Sequence, residues 1–400
     1  MGREQRPLAG LRVVELTHMV MGPTVGLILA DLGADVVKIE PVGGDHTRKL
    51  VGSGAGYFPM YNRNKRSIAL NLKSQKGLEL ALKLCDGADV VVENFRPGTV
   101  ERLGLGYEVL SERNPGIIFC SQKGFLDGPY AHRTALDEVA QMMGGLAYMT
   151  GPPGRPLRAG ASVIDVLGGR FGAIGILAAL EERRRTGKGQ AVTSSLYEST
   201  VFLVGQHMAQ NAVTGEPANP MPVRKSAWAI YDIFRTGDNE DLFVGVVSDS
   251  QWRVFCKAFG LDALAADDSL ASNAARVERR EDILATVQET FAQYTKADLM
   301  AKLEETGLPF APIAKPHELS EDPHLQASQG LVDVTLENGS MAKLPALPLA
   351  MGGRRFSLYH DLPKPGEDSR AVLADLGVDD TAYESLVEDG VIASPQETAS

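Results

Sequence analysis

Three short, apolar, β-branched stretches limit what this chain can fold into: residues 11–16 (L-R-V-V-E-L), 35–40 (D-V-V-K-I-E) and 88–93 (A-D-V-V-V-E). Each is near-continuously hydrophobic rather than alternating, the pattern of a strand buried on both faces in a parallel sheet. Between the first two, residues 24–32 carry apolar side chains at helical spacing and end at Gly33, a residue type suited to leaving a helix. The result is a β-α-β unit of about thirty residues. The unit recurs, with a helix over 74–85 ahead of the third strand and a further strand over 117–121. Strands alternating with helices predict a Rossmann-like α/β domain, a parallel sheet covered on both faces. The first strand-to-helix turn, T-H-M-V-M-G-P, is not G-x-G-x-x-G, so the nicotinamide and flavin fingerprint is missing.

Helices are expected over 137–146, 165–185 and 196–214, with a short strand at 190–193. After Gly215 the texture changes to the Pro-rich E-P-A-N-P-M-P-V, which reads as an extended linker. Hairpin chemistry follows, with a Gly-Asp-Asn turn between Thr236 and Glu240, and then helices to about residue 306. The predicted organisation is a large domain begun by 1–215, a linker at 216–224 and a small α+β domain at 225–325. Residues 326–400 then form a return linker and the C-terminal part of the large domain. A hairpin is expected at Glu337-Asn338-Gly339.

A net charge of −11 disfavours nucleic acid as a partner. Cys85, Cys120 and Cys256 are too few and scattered for a disulfide framework and read as small core residues. The N-terminus has no signal-peptide pattern, and no apolar run is read as long enough to span a membrane. The expectation is a soluble cytoplasmic protein with no membrane partner.

Ligands of open α/β sheets bind beyond the carboxyl ends of the strands. The residues falling there are the His18 loop, Asn94-Phe95-Arg96 and Ser121-Gln122-Lys123. His18, Arg63, Lys65, Arg66, Lys73, Arg102 and Lys123 would together make a basic rim suited to a phosphorylated ligand, although each taken singly also reads as a solvated surface charge. Asp165 stands between a short apolar run and a helix containing Gly168, Gly169, Gly172 and Gly175. It is placed as that helix's N-cap, and capping alone would explain it. Asp137 and Glu138 likewise begin a helix, where acids are favoured.

Read together, V-V-E-L-T-H-x-x-x-G-P, L-G-A-D-V-V-K-I-E-P, N-R-N-K-R-S-I-A-L-N-L-K, V-V-V-E-N-F-R-P-G, L-G-L-G-Y, the Asp165 helix and R-x-T-G-K-G-Q resemble the family III CoA-transferases. The resemblance is strong from about residue 8 to 200 and weaker beyond. It implies transfer of CoA from an acyl-CoA to a free carboxylic acid, with Asp165 as the nucleophile. A mixed anhydride and then an aspartyl-CoA thioester would form on that residue. The start of the Asp165 helix would offer N–H dipoles to developing oxyanions. His18, Val20, Met21, Leu70, Lys73, Asn94, Phe95, Arg102, Lys123 and Asp137 carry over as binding residues for CoA and the acyl group. No metal or redox cofactor is implied, because CoA enters as part of the substrate. Family members are homodimers interlocked like links of a chain.

Formyl-CoA transferase, the family prototype, has Gln where this chain has Val20 and Arg where it has Pro41. This chain also has no counterpart of its tetraglycine loop. These departures point away from oxalate as acceptor. Separately, N-R-N-K-R-S-I-A-L-N-L-K and G-G-L-A-Y-M-T-G resemble relatives acting on dicarboxylates, which implies succinyl-CoA or mesaconyl-CoA as donor. Arg96 or Arg133 would then meet the CoA phosphates. The rival with the same fold is an α-methylacyl-CoA racemase, which needs a His directly before the acid corresponding to Asp137. Here that residue is Leu136, so the base is missing. A non-catalytic CoA-binding protein would be expected to have lost Asp165.

Overall fold

A computed structural model describes residues 2–224 and 226–393. The N-terminal strands are β1 (Arg12–Leu16), β2 (Asp35–Glu40), β3 (Arg66–Ala69), β4 (Val90–Glu93), β5 (Ile118–Lys123) and β6 (Gln190–Ser195). They form one sheet in the order β3-β2-β1-β4-β5-β6, every pair parallel. This is the doubly wound order, reversing direction between β1 and β4.

Register explains why both faces are apolar. Val13 lies level with Val36 and Val90, and Val14 with Val37 and Val91. The Val13 row packs with Val25, Leu29 and Ala173 from the helices Met21–Asp31 and Val163–Thr186. The Val14 row packs on the opposite face with Leu80, Leu110, Val372 and Tyr383. Residues near the C-terminus thus help to complete one of the two apolar layers begun by the first strands.

Strand β3 was not foreseen. Its R-S-I-A is short and continues the cationic N-R-N-K-R run, so it lacks a strand's apolar signature. Its charge is neutralised from the next strand, where Asp35 takes the Arg66 guanidinium at 2.6 Å. The expected helix 137–146 is two helices, Asp137–Met143 and Leu146–Thr150, broken at Gly145 with φ of 86°.

Against the expectation, one helix among the described residues, Val163–Thr186, is long and apolar enough by composition to cross a membrane. Its glycines show what it does here. A Cβ on Gly169 would lie 2.6 Å from the Met21 carbonyl oxygen, and one on Gly172 would lie 2.2 Å from Gln122 Nε2. The bare side lets it press directly onto the first helix and the sheet.

Residues 1–222 and 322–400 make one compact unit and 223–321 another. The second unit, taken by itself, has an antiparallel sheet of β7 (Ile230–Arg235), β8 (Asp241–Val246) and β9 (Phe310–Pro312). Helices cover it, with Phe234, Phe255, Phe291 and Leu299 at its core. The larger unit also contains the hairpin of β10 (Leu331–Thr335) and β11 (Met341–Pro345).

Candidate active site

The strand ends on either side of the topological reversal are tied together. His18, beyond β1, donates its N–H to Asn94 Oδ1 at 3.0 Å, and Asn94 Nδ2, beyond β4, returns a bond to the His18 carbonyl at 2.8 Å. The His18 ring stacks on Phe95 at 5.6 Å, and burial lowers its pKa. Next to it Met19 is left-handed, φ 64°, with its N–H bonded to Thr47 Oγ1. Such a backbone costs about 1–3 kcal/mol and persists only where surroundings hold it.

Beneath this loop is a layer of buried charge. Glu15 pairs with Lys65 at 2.9 Å and Lys38 at 3.5 Å; Lys38 also meets Asp45 and donates to the Thr17 carbonyl. Arg63 is paired with Asp31 at 2.7 Å and is itself 1% exposed. The basic rim expected from sequence is therefore not one surface. Arg63 and Lys65 are interior, because only paired charges can be buried cheaply, and Arg66 is taken by Asp35. Lys123 spends its charge on Glu93 Oε1 at 2.6 Å and the Phe95 carbonyl at 3.0 Å.

Asp165 is not an N-cap. The long helix begins at Val163 with Ser162 as its capping position, and Asp165 lies in the first turn. The cap comes from Asp137, whose Oδ2 accepts from the N–H groups of Ile164 at 2.8 Å and Asp165 at 3.1 Å. Val163 and Val166 donate to the Ala161 and Ser162 carbonyls. The helix start therefore holds a cap rather than free N–H groups for an oxyanion, and only its dipole remains to act on developing charge. Gln141 Nε2 donates to the other Asp137 oxygen at 2.5 Å, and Gln141 Oε1 accepts from the Ala159 N–H.

Two carboxylates thus share one helix end, and their environments differ. Asp137 is 6% exposed and saturated with hydrogen bonds. Asp165 is half-buried, and its pKa is raised to about 7 by burial first and the Asp137 charge second, with Arg158 opposing. Tyr61, which feels the Asp165 charge, has its phenol pushed up to about 12, mainly by burial.

A cavity of about 350 Å³ opens on this group. Of the residues singled out in the sequence, it brings together Asp165, His18, Met21, Asn94, Phe95, Lys123 and Asp137, and with them Arg96, Gln122, Arg133 and Glu138. Val20 is 1% exposed, its carbonyl accepting from Thr24, and stands outside the lining. Leu70 is also 1% exposed, a core side chain bridged to Ile392. Lys73 and Arg102 are exposed and do not line the cavity, Arg102 donating to Thr99 Oγ1. Sequence reasoning passed over Tyr57, Gln141 and Arg158. Only the i, i+4 spacing of Asp137 and Gln141 on one helix carried a signal for any of them.

Comparison with known proteins gives consistent findings. The model of CoA-transferase family III matches residues 8–369. An acyl-CoA transferase of Fusarium pseudograminearum is 36% identical, over 97% of this chain and 89% of that protein. A succinate–glutarate CoA-transferase of Agrobacterium fabrum is 34% identical, over 94% and 97%. The crystal structure of a CaiB/BaiF family protein from Brucella suis superposes with a TM-score of 0.80 at 34% identity, over 93% of this chain and 99% of that one.

Proposed function

The chain belongs to CoA-transferase family III, and from that premise we propose that it moves CoA from a dicarboxylic acyl-CoA such as succinyl-CoA to a free carboxylic acid by way of Asp165. That it is an enzyme, a CoA-transferase, follows from the family; the donor class and the covalent route are our reading. The observation that carries the route is the half-buried Asp165 carboxylate on the wall of the cavity, backed by a second carboxylate fully engaged elsewhere. The donor class draws on the relative named for succinate and glutarate.

The cycle begins with attack of an ionised Asp165 oxygen on the thioester carbonyl. The C–S bond breaks, CoA leaves as thiolate, and the acyl group remains as a mixed anhydride. The thiolate then attacks the Asp165 carbonyl carbon of that anhydride, releasing the donor acid and leaving an aspartyl-CoA thioester. The acceptor carboxylate attacks this thioester, expelling thiolate and forming a second anhydride. Thiolate attack on the acceptor's own carbonyl then frees the new acyl-CoA and regenerates Asp165. No proton is gained or lost overall.

A carboxylate is a weak nucleophile, and the site compensates by proximity and exclusion of water. Water would hydrolyse either activated intermediate, so the apolar lining of Met21, Phe95 and Leu196 protects the cycle. Asp137 acts as a positioning residue. It fixes the first turn that carries Asp165, and its charge keeps the neighbouring carboxylate poorly stabilised and therefore reactive.

We also propose a homodimer. Ile174, Phe202, Met208 and Val213, on the helices Val163–Thr186 and Leu196–Thr214, are each more than half exposed, an apolar surface of the kind that marks protein interfaces.

The test is the intact mass of the protein after incubation with succinyl-CoA, with hydroxylamine added afterwards to a second sample, where it should release the CoA and leave a hydroxamate on the carboxyl group that carried it. Wild type should gain a CoA-sized adduct, and Asp165→Ala should gain none. Exchange of the α-proton in deuterated water without any adduct would instead favour racemase chemistry, for which Leu136 supplies no base.

A further inference from the structure

Transfer through Asp165 calls for a carboxylate and an activated carbonyl, and neither accounts for a guanidinium held beside the nucleophile. Arg158 is that guanidinium. It lines the cavity, its side chain is 34% exposed, and it is the cation whose charge opposes the raised pKa of Asp165. Two bonds tether it to its own loop, Nε to the Ala159 carbonyl at 3.2 Å and Nη2 to the Ala161 carbonyl at 3.3 Å.

Its contacts with acids are loose. Nη2 lies 3.4 Å from Asp137 Oδ1 and Nη1 lies 3.8 Å from Glu138 Oε2, against about 2.7–2.9 Å for a committed ionic hydrogen bond. Asp137 has no need of it, being already bonded by Gln141 and two helix N–H groups. Among the described residues, Nη1 donates no hydrogen bond. The other cations of the cavity are differently disposed. Lys123 is consumed by Glu93, Arg133 stacks on the Tyr130 ring at 4.7 Å, and Arg96 is exposed on the loop after β4.

We propose that Arg158 binds the distal carboxylate of the acyl group while the proximal carbonyl reacts at Asp165, and so selects dicarboxylic over monocarboxylic acyl groups. The proposal rests on the reading of Asp165 as the acyl carrier. The planar fork of Arg158 can meet a carboxylate with two parallel bonds. A monocarboxylic acyl chain of the same length would set a methyl group against that fork and leave the cation unpaired, which is how a polar site rejects an analogue lacking its partner.

The experiment follows loading of CoA onto Asp165 by intact mass at subsaturating donor. Succinyl-CoA and butanoyl-CoA are compared on wild type, Arg158→Met and Arg158→Lys, with melting curves to establish that each variant is folded. Arg158→Met should slow loading from succinyl-CoA by about 10- to 100-fold, the loss of a charged hydrogen-bonded pair. Both donors are read well above the pKa of Asp165, at about pH 9, so that loss of the Arg158 charge does not change its ionisation. Loading from butanoyl-CoA should then change by less than about threefold, since no such pair forms with it. Arg158→Lys should recover part of the rate with succinyl-CoA only. An equal loss with both donors, or no loss with either, overturns the proposal, because Arg158 would then serve Asp165 or nothing. Wild type that loads CoA from neither donor is a separate failure, that of the Asp165 reading, and appears before any change at Arg158; it takes this subsite with it.

Discussion

A carboxylate that attacks a thioester must be ionised, yet burial and the Asp137 charge push the pKa of Asp165 up to about 7. Loading from donor at low concentration should therefore rise about tenfold per pH unit below that pKa and level off above it. Asp137→Asn removes the like charge and keeps an oxygen for the helix N–H groups, so the rising limb should move to lower pH; a pH–rate profile of the two proteins reads it directly. The same shift has a consequence for stability. A carboxyl group with a folded pKa near 7 and an unfolded pKa of 3.8 favours folding fully only below 3.8, and that contribution is lost as pH rises toward 7. Asp165→Asn should accordingly stabilise the protein more at pH 8 than at pH 4. The difference should be about 1–2 kcal/mol, smaller than the full shift because the group is only half-buried. Chemical denaturation at the two pH values measures it, and an equal effect at both would mean that Asp165 titrates normally.

The long helix shows how an element can be read correctly in kind and misread in detail. Its Gly spacing correctly suggested a close approach, and the structure supplies the partners: Gly168 faces the Met21 thioether end, Gly169 the Met21 carbonyl and Thr24. Alanine at these two positions should behave differently. Gly169→Ala sets a methyl group 2.6 Å from a backbone oxygen that cannot retreat without moving a helix, costing about 1–3 kcal/mol. Gly168→Ala meets Met21 Cε at 2.5 Å, the far end of a flexible chain, and should cost clearly less on the same thermal melt. The misread detail was the cap. Asp165 looked like an N-cap because an acid before an apolar helical run ordinarily is one, whereas the acid that caps lies 28 residues earlier. Periodicity reports on neighbours along one helix and is blind to such a partner. The buried cations follow the same logic: Arg63 and Lys65 read as surface charges until Asp31 and Glu15, from elements 32 and 50 residues away, close around them. The parallel strands were legible because burial on both faces writes itself into every residue of the strand. The lining of the cavity was legible where it sits on strand ends, as with His18 and Asn94, and not where a loop carries it, as with Arg158.

At the scale of the whole larger unit, the chain must solve the problem of β3, an edge strand whose outer backbone groups would otherwise template another chain. It does so with its own C-terminal part. Ser67 exchanges bonds with Asp368, its N–H to Oδ2 at 2.8 Å and its carbonyl from the Asp368 N–H at 3.0 Å. The Asn64 N–H bonds the His360 carbonyl, the Asn71 N–H bonds the Val391 carbonyl, and the Ala69 carbonyl accepts from Ala393. Behind this seam Val372, Leu373, Tyr383, Val391 and Ile392 are buried against the first strands. Five such side chains represent about 7–15 kcal/mol at about 1.5–3 kcal/mol each. That equals the whole stability of an ordinary domain, about 5–15 kcal/mol. Ending the chain after Gly366 should therefore leave no cooperative unfolding transition and drive the protein into aggregates through the bared edge. Tyr383→Ala, a milder wound in the same core, should keep the fold and lower stability by about 3–5 kcal/mol. A truncated protein that stays soluble and melts like wild type would mean that the edge is protected by something other than the chain's own end.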